Sequence, residues 1–210
     1  MAKKRRNRKK IAIKLPQIIM GCFCALLLVV AGVRLLGEQA RVDVADQNAN
    51  NQAEVQRNRQ AFIKRLAPEA KRLQQTYHVL PSITLAQAIL ESDWGTSQLA
   101  TNYHNLFGVK GTDPNQTKVM LTKEYRNGQW VEIRGRFQIY ANDQASLAAH
   151  AALLANGTSW NTNQYQHVIS ATNYRTAAAA LKQDGYATDP DYPAKLINLI
   201  KTYDLEQYDQ

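Results

Sequence analysis

Hydrophobic positions divide this chain into stretches of different period. From Ile18 to Val33 apolar residues run without a charge, and Leu15 and Leu35-Leu36 extend the run on both sides. With those flanks it approaches the ~20 residues a helix needs to cross a bilayer. Between 38 and 59 large apolar residues are scarce and Gln, Asn, Ala and charges dominate, the composition of a stalk that is helical in part. A helical period then begins. Phe62, Ile63, Leu66, Ala70 and Leu73 predict the buried face of a helix that Tyr77, Val79 and Leu80 end and Pro81 breaks. Thr84 and Gln87 have capping-box spacing at the start of a second helix. Its small and apolar face is Leu85, Ala88, Ile89 and Ser92, and Gly95 is its expected stop. Residues 96–111 show no period and are expected to be irregular or short-helical.

Between 119 and 140 the pattern becomes β-prone on both sides of Asn127-Gly128, the dipeptide that best fits a two-residue hairpin turn. That turn pairs Arg126 with Gln129, Tyr125 with Trp130, Glu124 with Val131 and Lys123 with Glu132. Glu132 then faces Lys123 and shares a side with Tyr125 and Trp130. Glu124 shares the other side with Thr122, Val131 and Ile133, with no base directly opposite. Helical patterns return at 144–155, with Asp143 as cap, at 174–184, closed by Gly185, and at 192–203, where Leu196, Leu199 and Ile200 face inward. The sum is a mainly α domain over 60–210 with one small β-hairpin lobe. It follows a basic tail (1–14), a transmembrane signal-anchor (15–36) and a stalk (37–59).

Net charge changes the reading only at the tail. The formal charge of +9 suggests nucleic acid until it is located: eight of the 26 basic residues lie in 1–14, which has no acid, leaving 18 basic against 17 acidic residues. The folded part is thus nearly neutral, and no nucleic-acid partner is expected. Basic residues before the apolar run and few after it predict a single-pass anchor with a cytoplasmic N-terminus and an extracellular domain. A cleaved signal peptide is the alternative, although Ala25–Gly32 offers only a weak small-x-small site. A lipoprotein reading through Cys22 leaves most of the apolar run beyond the cysteine. Cys22 and Cys24 are the only cysteines, so no disulfide supports the outer domain and no cysteine nucleophile serves it. His78, His104, His150 and His167 lack metal-ligand spacing, and no HExxH, nucleophile elbow or P-loop is present. No metal or cofactor is expected.

The chemistry concentrates in LAQAILESDWGTSQLATNYHNLFGVKG, residues 85–111. Glu91 is a carboxylate late in an apolar helix, with Trp94 at i+3 to exclude water, an arrangement that keeps a general acid protonated near neutral pH. Glu124, unpaired among apolar neighbours, is the better second carboxylate of the hairpin. Asn105, Phe107, Gly108 and Lys110 suit a sugar groove: amide and ammonium groups bond hydroxyl, acetamide and carboxylate groups, and an aromatic covers a ring face. Leu106 and Phe107 suit the core equally, and Gly108 and Gly111 permit a tight turn.

Ile89–Gly95 and Asn105–Gly111 resemble the ILES-x-WG and NLFG-I/V-KG stretches of the bacterial endo-β-N-acetylglucosaminidases of glycoside hydrolase family 73. Thr122-Lys123-Glu124-Tyr125 matches the family's Thr-x-Glu-Tyr, and Tyr186–Pro190 its YATDP, followed by Tyr192 and Lys195-Leu196. The resemblance covers roughly 60–208; Asp93 and Val109 are its small departures. It implies a lysozyme-like α+β fold, Glu91 as catalytic acid, Glu124 as the second important carboxylate, and Tyr186 as a tyrosine that supports the reaction or positions the sugar, with Tyr192 second. Trp94, Asn105, Phe107, Gly108, Lys110 and Tyr192 would bind substrate. The implied activity is hydrolysis of peptidoglycan glycan strands after N-acetylglucosamine by a monomer. Its rivals are muramidase cleavage of the alternate bond and a non-catalytic glycan-binding scaffold.

Overall fold

The computed structural model describes the backbone of residues 15–126 and 129–209, and the side chains of these except 15–40, 42–44, 123–126 and 130. The basic tail, the side chains of the expected membrane span, the Asn127-Gly128 turn and the Glu124 carboxylate therefore lie outside the described residues. Among the described residues no helix is long and apolar enough to cross a membrane.

Helix α1 (Leu15–Tyr77) is followed by α2 (Pro81–Ser92), α3 (Gln98–Tyr103), strands β1 (Thr117–Arg126) and β2 (Gln129–Gln138), and α4 (Asp143–Asn156), α5 (Gln166–Ile169), α6 (Tyr174–Gln183) and α7 (Tyr192–Thr202). Short 3₁₀ turns cover Pro114–Gln116 and Leu205–Tyr208. Contacts divide the chain into Met1–Gln56 and Arg57–Gln210. In the first unit residues 45–56 are helical and exposed throughout, as their polar composition requires.

The second unit is mainly helical with one two-stranded antiparallel sheet. Phe62, Ile63, Leu66, Ala70 and Leu73 of α1 are buried, as their period predicts. At the centre lies α2, whose residues 81–89 are all buried, and which packs against α6, α7 and the 3₁₀ turn at 205–208.

Two expectations about α2 are corrected. The helix begins at Pro81, where a missing N–H costs nothing, and the Thr84–Gln87 capping box does not form. Thr84 Oγ1 instead donates to Leu80 O at 3.4 Å, and Gln87 reaches a distant tyrosine. The cap comes from the far end of the chain: Asp209 accepts from the Ser82 backbone N–H at 2.8 Å and from its hydroxyl at 2.6 Å. Its carboxylate meets the positive end of the helix dipole. Nor does Gly95 end the helix. Asp93 is the left-handed C-cap, and Asp93, Trp94 and Gly95 all have positive φ, a sharp reversal one turn after Glu91. Ser92 stabilises it, its hydroxyl donating to Ala88 O at 2.5 Å and accepting from Gly95 N at 2.7 Å.

The hairpin register is the expected one, with all four predicted pairs present in a ladder of ten from Thr117↔Gln138 to Arg126↔Gln129. Asn142, rather than Asp143, caps α4 by accepting from Ala145 N at 2.9 Å. In α7, Leu196 and Ile200 are buried while Leu199 is only half-buried.

Candidate active site

A cleft of about 980 Å³ opens between the end of α2, the loop after α3, the loop after α4 and the segment joining α6 to α7. Glu91 stands at its wall because α2 runs through the core and surfaces only in its last turn. The residue is exposed toward the cleft, while the surrounding protein desolvates its carboxyl and raises its pKa above the ordinary range. A hydrogen bond from Tyr192 opposes that rise.

That bond fixes the site's geometry. Tyr192, at the first turn of α7, donates its hydroxyl to Glu91 Oε1 at 2.8 Å across 101 residues of sequence. Gln87, one turn before Glu91, donates its Nε2 to the same hydroxyl oxygen at 3.0 Å. With the amide proton pointing at its oxygen, the phenol sends its own proton to Glu91. One carboxyl oxygen is thereby held, which leaves Oε2 as the position for a proton whenever the carboxyl is protonated. Desolvation, with the neighbouring Tyr186 and Glu91, holds Tyr192 well above the usual phenol pKa, so it remains a donor.

Tyr186 lines the same cleft, its ring 6.0 Å from Tyr192 and 6.0 Å from Tyr165. Burial first, and Glu91 second, push its pKa up. Beneath lies His150, fully buried and stacked on Phe107 at 3.8 Å between centroids. Burial lowers its pKa to about 3, so it is neutral, and neither ring nitrogen has a hydrogen-bond partner among the described residues.

Of the residues selected from sequence, Glu91, Phe107, Gly108, Lys110, Tyr186 and Tyr192 line the cleft. Gly108 has φ +65°, the conformation that favours glycine. Two selected residues do other work. Trp94 is not a cleft wall: its ring packs on Tyr203 at 4.7 Å and Phe62 at 6.1 Å, with the Arg59 guanidinium 5.0 Å from its centre. The left-handed turn at 93–95 carries it off the helical path that i+3 spacing assumes. Asn105 is 1% exposed and is a clamp. It donates to Val109 O at 2.9 Å and Gln138 O at 2.8 Å and accepts from Val109 N at 3.0 Å, tying the cleft loop to the base of β2. Glu124 is paired with Val131 in the ladder. Sequence reasoning missed Gln87's bond to Tyr192, which no local signal announces. It also missed Trp160, which lines the cleft and stands alone in a polar Gly-Thr-Ser-Trp-Asn-Thr-Asn run.

A partly desolvated carboxyl with one oxygen fixed, opening into an aromatic-walled groove, can protonate a leaving oxygen. Comparison with known proteins points the same way. The glucosaminidase family model, described as mannosyl-glycoprotein endo-beta-N-acetylglucosaminidase, matches residues 67–205. The chain is 49% identical over 151 residues to the exo-glucosaminidase LytG of Bacillus subtilis, covering 72% of this chain and 54% of LytG. It is 39% identical over 153 residues to a probable N-acetylmuramidase of Lactococcus lactis, covering 71% of this chain and 35% of that protein. The chain thus spans about half the length of the first relative and about a third of the second. The crystal structure of the catalytic domain of the Listeria monocytogenes autolysin Auto superposes with a TM-score of 0.67 at 39% identity, covering 72% of this chain and 88% of that domain.

Proposed function

The chain belongs to the glucosaminidase family, and on that premise we propose that it hydrolyses β-1,4 bonds of peptidoglycan glycan strands, cutting after N-acetylglucosamine. The observation that carries this reading is the Glu91 carboxyl, its pKa raised by desolvation and one oxygen held by Tyr192 at the cleft wall. In this reading Oε2 of Glu91 gives its proton to the glycosidic oxygen as the bond to the sugar carbon lengthens. Glu124 then activates a water, or orients the substrate's own acetamide for neighbouring-group attack. The two routes give opposite anomeric outcomes. Tyr186 borders the reacting sugar, and Phe107, Gly108 and Lys110 line its groove.

Glu91→Gln tests the role directly. Glutamine keeps an oxygen to accept from Tyr192 but has no carboxyl proton, so turnover on purified cell walls should fall about 10²–10⁴-fold with glycan binding retained. Near wild-type turnover removes Glu91 from the mechanism, whereas a parent protein that binds glycan without degrading cell wall favours a binding scaffold. The lactococcal relative's name favours a second reading, muramidase cleavage. Mass spectrometry of borohydride-reduced products separates the two: reduced N-acetylglucosamine at the new end supports the first reading, reduced N-acetylmuramic acid the second.

The basic run at 1–14 followed by the uncharged run at 18–33 supports a single-pass anchor that holds the domain outside the cell. Protease added to intact cells should then remove the domain and leave a short membrane-bound N-terminal fragment. Mature protein in the medium beginning beyond Ala31 would show cleavage instead.

A further inference from the structure

The cleft carries a tryptophan that the chemistry at Glu91 does not use. Trp160 lines it, yet its side chain is 80% exposed, more than any other large hydrophobic residue described. A single exposed apolar side chain is ordinary; one mounted on a rigid turn beside a cleft is not. Thr158 and Asn161 exchange backbone hydrogen bonds at 2.9 and 3.2 Å, which leaves Ser159 and Trp160 as the two residues of the tip. Gly157 has φ +69°, and a Cβ there would lie 2.3 Å from the Asn161 carbonyl oxygen, so the turn folds back only on a glycine. Gln164 ties this turn to the scaffold. It accepts from the Thr158 hydroxyl at 2.8 Å and donates to Asp184 O at 3.2 Å, at the C-terminus of α6.

The indole is therefore held largely in water by a braced support, little covered by the described residues. Pyranose rings present flat C–H faces that need an apolar partner, and a large rigid aromatic supplies one at little conformational cost. Bracing of the turn lowers that cost further. Trp160 makes none of the ring contacts that link Tyr165, Tyr186 and Tyr192 among the described residues. We propose that Trp160 is the stacking platform of a distinct sugar subsite, gripping a glucosamine-type ring of the strand other than the ring held at Glu91. The inference rests on the glycan-cleaving reading and adds a second point of hold, which favours long strands over short fragments.

The test uses the full chain carrying Glu91→Gln and a linear β-1,4 tetramer of N-acetylglucosamine, with binding measured by calorimetry. Adding Trp160→Ala should weaken binding about tenfold, a step of about 1.4 kcal/mol, while Trp160→Phe should keep most of it. In the otherwise native protein Trp160→Ala should raise KM on wall glycan and leave kcat nearly unchanged. Iodide quenching should fall when the tetramer binds, and this protection should vanish in Trp160→Phe. Equal affinity of the Trp160→Ala and parent proteins at matched melting temperature overturns the subsite and leaves the Glu91 assignment standing. If the native protein neither binds the tetramer nor degrades wall, the glycan reading itself fails and takes the subsite with it.

Discussion

Replacing Tyr192 by Phe removes one hydroxyl and strands two partners. Glu91 Oε1 loses its donor, and Gln87 Nε2 loses its acceptor. Gln87 is fully buried and its Oε1 already lacks a partner among the described residues, so the whole amide becomes unsatisfied. An orphaned buried polar group costs about 1–3 kcal/mol, which for a domain of this size lowers Tm by roughly 2–12 °C. The pH dependence has a definite sign. In the proposed mechanism Glu91 acts in its protonated form, so rate should fall as pH rises through its pKa, which desolvation has already raised. Tyr192 favours the ionised form, and its removal should move that basic limb to still higher pH. Stability follows the same linkage. A group whose folded pKa is raised holds its proton more tightly in the folded state. Its contribution is complete below the unfolded carboxylate pKa and is lost as pH rises through the folded value. Tyr192→Phe should extend that window upward. Rate profiles on wall substrate and urea unfolding across pH, on both proteins, read these effects. A limb that stays put or moves down refutes the hydrogen bond's assigned role, and an unchanged Tm shows that Gln87 did not depend on it.

Two further pairs of substitutions separate backbone and carboxylate effects. Glu124→Gln should reduce activity strongly and Glu132→Gln mildly. Lys123 and Glu132 are opposite in the ladder, and a surface cross-strand ion pair contributes only ~0.2–1 kcal/mol, whereas a working carboxylate lowers the barrier by several times that; the reverse order in rates at matched stability would sink the assignment. Gly95→Ala places a Cβ 2.6 Å from the Phe62 ring at φ +76°, while Gly108→Ala at φ +65° meets nothing within 4 Å. Both incur left-handed strain of ~1–2 kcal/mol, so denaturant unfolding should show a larger loss for Gly95→Ala, and equal losses would contradict the close approach.

Local signals were legible wherever neighbours in sequence determine the outcome. The buried face of α1 follows from apolar spacing alone. The register of β1 and β2 follows from two residues, because a two-residue turn leaves one alignment. Glu91 owes its selection to the family resemblance, because by residue type alone a glutamate on an amphipathic helix is more often a solvated surface group.

What the sequence did not disclose is set by groups that meet only after packing. Thr84 and Gln87 have the spacing of a capping box, but Pro81 starts the helix three residues earlier and Asp209, 127 residues from Ser82, caps it. Trp94 has the spacing to cover Glu91, but a left-handed turn sends its ring to Phe62 and Tyr203. Asn105 has the chemistry to bind sugar, but its amide is spent on the backbone of 109 and 138. Periodicity records which face of an element is buried, and turn residues record how adjacent elements join. Neither records which buried polar atom will face which partner across the core. Tyr192 therefore held no special place beside Tyr186 in the sequence, and only the docking of α7 on α2 brought its hydroxyl to Glu91.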